Sequence, residues 1–94
     1  MKKLHLHEKL KFHILWHLYN HHYIGRKHTP IENVAKGLPK DEKGECLKVA
    51  KDLLRSPEQW LLPYPTKHGL DVRLNPAKLK EILEYLEKMQ RESD

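Results

Sequence analysis

The feature that most constrains this chain is a change of hydrophobic period after Ser56-Pro57. Up to residue 55 the apolar residues recur at helical spacing, and from residue 76 they do so again. Between them lies Trp60-Leu61-Leu62-Pro63-Tyr64-Pro65, which is extended in character, then a turn, Thr66-Lys67-His68-Gly69, and then Leu70-Asp71-Val72-Arg73-Leu74, which alternates apolar and charged. That is a hairpin of two half-buried strands, and Pro63 and Pro65, each lacking an amide donor, place the first at a sheet edge. A chain of 94 residues holds one domain with one core, so a two-domain enzyme with a cleft between its halves is excluded.

The helical parts are read from periodicity and punctuation. Leu10, Ile14 and Leu18 lie at i, i+4, i+8 in a first helix over 4–24, with Phe12, Leu15, Trp16, Tyr19 and Tyr23 widening its apolar face and Gly25 expected to end it. Thr29-Pro30-Ile31-Glu32 predicts a second, two-turn helix, with Thr29 as N-cap, Pro30 in the first turn and Glu32 completing a capping box; Gly37-Leu38-Pro39 closes it. A third helix is predicted over 41–55, burying Cys46, Leu47, Val49, Ala50, Leu53 and Leu54. Asn75-Pro76 starts the last, over 76–91, with one stripe of Leu79, Ile82, Leu83, Leu86 and Met89.

Charge and cysteine usage narrow the partners. Of 18 basic residues 12 fall in residues 1–55, against 6 of the 13 acidic ones, so the excess positive charge sits on the first three helices and points to a polyanion. The abundance of Lys and Glu (14 and 9) over Asn and Gln (3 and 2) fits a thermophile composition. The single Cys46 excludes an internal disulfide and a cysteine-built zinc site, and no apolar run is long enough for a spanning helix or a signal peptide. A cytoplasmic protein without membrane association is expected.

Helix, short helix, helix, hairpin, helix is an α+β, mostly α order. With Lys27-His28-Thr29-Pro30-Ile31-Glu32-Asn33-Val34, Lys36-Gly37-Leu38-Pro39 and the stretch from Pro65 to Pro76, it resembles the small archaeal winged helix-turn-helix proteins, DNA-binding regulators by expectation. The resemblance implies one domain over 1–94: helix 1 over 1–24, the helix-turn-helix over 29–55, the wing over 60–74 and an added C-terminal helix over 76–91. It also implies non-catalytic binding of double-stranded DNA, with the 41–55 helix in the major groove and the wing turn on the backbone.

The residues fit that expectation. Lys48, Lys51 and Arg55, at i, i+3, i+7, form a basic stripe opposite the apolar face, interrupted by Glu45 and Asp52; Lys40 and Lys43 precede them, Lys67 and His68 sit on the turn, and Arg73 faces outward beside it, free to support the wing or to pair with Asp71 or Glu58. The bland reading of each is a solvated surface. His13, His17 and His21 at i, i+4, i+8 invite a metal, with His28, His5 or His7 as further ligands, but three ligands spread over two turns do not converge on one ion. No structural metal and no cofactor are expected. The only serines, Ser56 and Ser93, stand at a helix end and in the tail, so no nucleophilic constellation forms and no enzyme is expected. The terminal helices carry more apolar surface than a small monomer needs, which predicts a homodimer through them; packing of the last helix on the first within one chain is the competing reading. The rival partners are structured RNA or the ribosome, bound by the same basic face, and a larger assembly held as a protein-interaction module.

Overall fold

The computed structural model describes residues 2–92, with side chains from Leu6 to Glu92, so Ser93 and the side chain of His5 lie outside the described residues. The elements are α1 (Lys2–Asn20), β1 (Thr29–Pro30), a 3₁₀ turn (Ile31–Ala35), α2 (Lys40–Arg55), β2 (Leu61–Thr66), β3 (Gly69–Leu74), a short 3₁₀ turn (Pro76–Lys78) and α3 (Leu79–Glu92). The three strands form an antiparallel sheet in the order β1-β3-β2, which makes this a small, mostly helical α+β domain compatible with a winged-helix-like layout. No helix among the described residues is long and apolar enough to cross a membrane.

One core joins all these elements. Leu10, Ile14, Leu15 and Leu18 from α1 meet Cys46, Val49, Ala50 and Leu53 from α2, with Leu61, Val72 and Leu74 from the hairpin and Ile82 and Leu86 from α3. The alternation in β3 settles its faces: Val72 and Leu74 are buried, while Asp71 and Arg73 point to the other side. Pro63 and Pro65 do lie on an edge strand, since β2 pairs with β3 alone. Asn75 works as the expected cap. Its Oδ1 accepts the Ala77 amide at 3.0 Å, its Nδ2 donates to the Gln59 carbonyl at 2.8 Å, and its amide donates to the Trp60 carbonyl at 2.9 Å, tying the hairpin to α3.

Two expectations are corrected. The first concerns the 29–36 helix, which is one 3₁₀ turn preceded by a strand. The Thr29 and Pro30 positions pair with Val72 and Asp71, and Pro30 is extended (φ −54°, ψ 141°). Lys36 is extended again at φ −62°, ψ 139° and Gly37 takes φ +88°, leaving five residues between, too few for two α-turns. Glu32 forms no capping box: the buried Thr29 Oγ1 accepts instead from Asn33 Nδ2 at 2.8 Å. The second is the end of α1. His22, not Gly25, takes the left-handed position (φ 62°), with the Tyr23 amide on the Leu18 carbonyl (2.8 Å) and the His22 amide on the Tyr19 carbonyl (3.0 Å). Those two bonds are the Schellman closure. Gly25 (φ 66°) serves later, where the chain turns along β3 and its amide donates to the Leu74 carbonyl at 3.1 Å.

The apolar stripe of α3 is covered in part within the chain. Ile82 is 0% and Leu86 2% exposed within a single chain, because α3 packs on α1. The centre of the stripe is therefore used inside the fold, while Leu79, Leu83 and Met89 are half-buried. Trp16 is 37% exposed and stacked on Phe12 at 6.0 Å, at the edge of a shallow depression shared with Tyr19, Leu83 and Leu86.

Candidate nucleic-acid interface

The basic face stands on α2, whose two sides differ sharply. Cys46, Val49, Ala50 and Leu53 are buried against α1, the 3₁₀ turn and β2, with Leu47 and Leu54 half-buried beside them. Burial pushes the Cys46 thiol up to about 11, so it stays protonated and inert, its Sγ 3.8 Å from the Val34 carbonyl. At 100° per residue, the side opposite carries Lys40, Gly44, Lys48, Lys51 and Arg55, all exposed.

Lys48, Lys51 and Arg55 line one shallow groove with Glu45 and Asp52. Arg55 Nη1 stands 3.7 Å from Asp52 Oδ1, with both side chains well exposed, so this pair is loose and screened. The expected stripe is thus assembled and free to meet a partner, with carboxylates along one margin. Lys43 is exposed but lies off to the side, toward Leu47 and Leu54.

Gly44 was not among the sequence candidates. It sits in the middle of the exposed face, and a Cβ placed there would meet nothing within 4 Å. A glycine in an exposed helix costs about 1 kcal/mol against alanine, and neither a turn nor a close packing contact within this chain requires it. The signal was available as a glycine breaking an otherwise regular helical pattern in Lys43-Gly44-Glu45.

The hairpin tip is a tight, internally hydrogen-bonded turn. Thr66 and Gly69 face each other across a two-residue turn; Thr66 Oγ1 donates to the Gly69 carbonyl at 3.0 Å and accepts the His68 amide at 3.3 Å. Gly69 takes φ +139°, a backbone region closed to other residues. Lys67 and His68 are exposed at that tip.

Arg73 differs from the other candidates. It pairs with neither Asp71 nor Glu58. Its Nη1 donates to the Gly25 carbonyl at 2.9 Å, its guanidinium lies 5.8 Å from the Tyr64 ring centre, and it is half-buried. Asp71 is taken by His28, with Nδ1 and Oδ2 2.6 Å apart, and the His28 ring stacks on Tyr64 at 3.7 Å and 14°. His28, Tyr64, Asp71 and Arg73 thereby fasten the outer face of the sheet to the loop before β1. Arg73 braces the base of the hairpin, and His28 is committed far from the α1 histidines. The His28–Asp71 and Arg73–Gly25 contacts join residues more than forty apart, which no local pattern announces.

On the far side of α2, Lys9 holds Glu42 at 3.1 Å, and Lys11 lies between the rings of Trp60 (5.1 Å) and Tyr85 (4.9 Å). Tyr85 donates to Glu8 Oε2 at 2.9 Å, and burial, with that bond, raises its phenol well above the ordinary value. Lys9 and Lys11 are thus engaged within the fold, whereas Lys48, Lys51 and Arg55 share the groove on α2. Also among the described residues, no three His, Cys, Asp or Glu side chains gather closely enough to hold a metal ion. No protein-family model matches the chain, and neither a curated protein nor a solved structure does.

Proposed function

We propose that this chain is a non-catalytic winged helix-turn-helix domain that binds double-stranded DNA, in the role of a transcriptional regulator of archaeal type. The carrying observation is the outward face of α2, where Lys48, Lys51 and Arg55 share one exposed groove on a helix whose other side is core. A helix of 16 residues presented this way fits the major groove of B-DNA, which admits one α-helix. Lys48 and Lys51 meet phosphates; Arg55, at the C-terminal end, meets phosphate or a guanine edge. Glu45 and Asp52 repel phosphates and suit the cytosine amino group, which turns the face toward base edges and away from pure backbone binding. The tight turn with Lys67 at its tip reaches neighbouring backbone, while Arg73 braces that hairpin through Gly25 and Tyr64.

Gly44 supports the same reading. An exposed helical glycine with open space around it lets a large partner come close to the helix axis. Gly44→Ala therefore separates folding from binding. Its expected effect on stability is a gain of about 0.5–1 kcal/mol, from better helix propensity. Its expected effect on duplex affinity is a several-fold loss, measured by fluorescence anisotropy beside a thermal melt. Equal duplex affinity in the stabilised variant would remove α2 from close contact with DNA.

A further inference from the structure

His13, His17 and His21 give α1 a histidine every four residues, and neither the core nor the basic face of α2 uses them. Helical spacing persists to the third: the His21 amide donates to the His17 carbonyl at 3.1 Å, although α1 ends at Asn20. His17 and His21 therefore stand one turn apart on the same face. Their rings are 4.5 Å apart centre to centre, whereas those of His13 and His17 are 6.4 Å apart. His13 is otherwise engaged. Its Nε2 lies 3.1 Å from the Lys36 carbonyl oxygen, which only accepts, so that nitrogen carries a proton and no free lone pair. A groove of about 380 Å³ opens beside the closer pair, lined by His17, His21, Tyr23, Asn33, Lys36 and Gly37.

We propose that His17 and His21 together bind a divalent transition-metal ion of the copper, nickel or zinc kind through two imidazole nitrogens, with the other coordination positions open to the groove. Imidazole is the ligand these ions share, and two histidines at i, i+4 on one helix face bring two nitrogens to a common ion at about 2.0–2.1 Å. Neutral imidazole nitrogens are donors to a metal ion, and the two rings face the same groove one helical turn apart. The exposed Lys36 at the rim opposes a dication, and no third ligand of the His, Cys, Asp or Glu type joins the pair among the described residues. The site is accordingly an exchanging surface site and not a structural centre, and copper(II) binds it tightest, following the order of divalent affinities.

The test is a copper(II) titration of the untagged chain, followed by calorimetry and by nitrogen hyperfine structure in the electron paramagnetic resonance signal. The expected result is one equivalent bound with two coordinated nitrogens. His17→Gln and His21→Gln should each weaken binding about tenfold or more, with helix content unchanged by circular dichroism. His5→Gln/His7→Gln should bind copper as the wild type does. Absence of binding, binding that survives both single variants, or a loss that follows His5 and His7 instead would each overturn the site.

Discussion

Leu86→Glu is expected to unfold the chain. Leu86 is 2% exposed, and it reaches the core from α3 beside Ile82, against a face of α1 that supplies Leu10, Ile14, Leu15 and Leu18. A carboxylate there loses the burial of a leucine side chain, about 2–3 kcal/mol, and leaves a charge without a partner at several kcal/mol more. Domains of this kind are stable by about 5–15 kcal/mol, and small ones lie at the lower end, so the loss consumes most of the margin. The milder Leu86→Ala should remain folded and lose about 2–5 kcal/mol. Circular dichroism melts of the two variants check this. A Leu86→Glu chain that stays folded and merely changes its assembly state would mean that the stripe meets a second copy and not α1.

The second large effect is on binding. Changing Lys48, Lys51 and Arg55 together to Ala should lower duplex affinity on the order of 10²-fold at moderate salt and flatten the log–log salt dependence by up to about three units, one for each phosphate contact removed. The fold should hold, because all three side chains are exposed and, among the described residues, the ion pair lost is the loose one between Arg55 and Asp52. Unchanged affinity and slope in the triple variant would mean that another surface binds the duplex. As an internal control, Lys9→Ala removes a cation that holds Glu42 on the other side of α2, and should leave the salt slope near that of the wild type.

The sequence was legible where a residue's role follows from its immediate neighbours. The two sides of α2, the two-residue turn before Gly69, the prolines of the edge strand and the Asn75-Pro76 start of the last helix all express local rules, and each is found in place. Thr29-Pro30 misled because its residue types suit a helix start as well as a strand. The choice was made by pairing with Val72 and Asp71, more than forty residues on. His22 in the left-handed position was hidden for a related reason: glycine is the usual choice there, and Gly25 lay only three residues further. The apolar stripe of α3 is legible as a face to be buried, but periodicity does not say against what; within the chain its Ile82 and Leu86 join the core to which α1 contributes. In the candidate site, Lys48, Lys51 and Arg55 were visible through spacing alone. The bracing role of Arg73, the engagement of His28 by Asp71 and the open space at Gly44 depend on three-dimensional neighbours.

The central claim is that the outward face of α2 recognises double-stranded DNA. The most direct measurement is equilibrium binding of the unmodified chain to a mixed-sequence DNA duplex and to a structured RNA hairpin of equal charge, each across a salt series by fluorescence anisotropy. The account predicts tighter binding to the duplex at every salt concentration, since the deep, narrow major groove of A-form RNA does not admit a helix such as α2. It also predicts a negative log–log slope that falls when Lys48, Lys51 and Arg55 are removed. Tighter binding to the RNA hairpin, or no binding to the duplex at low salt, would contradict it.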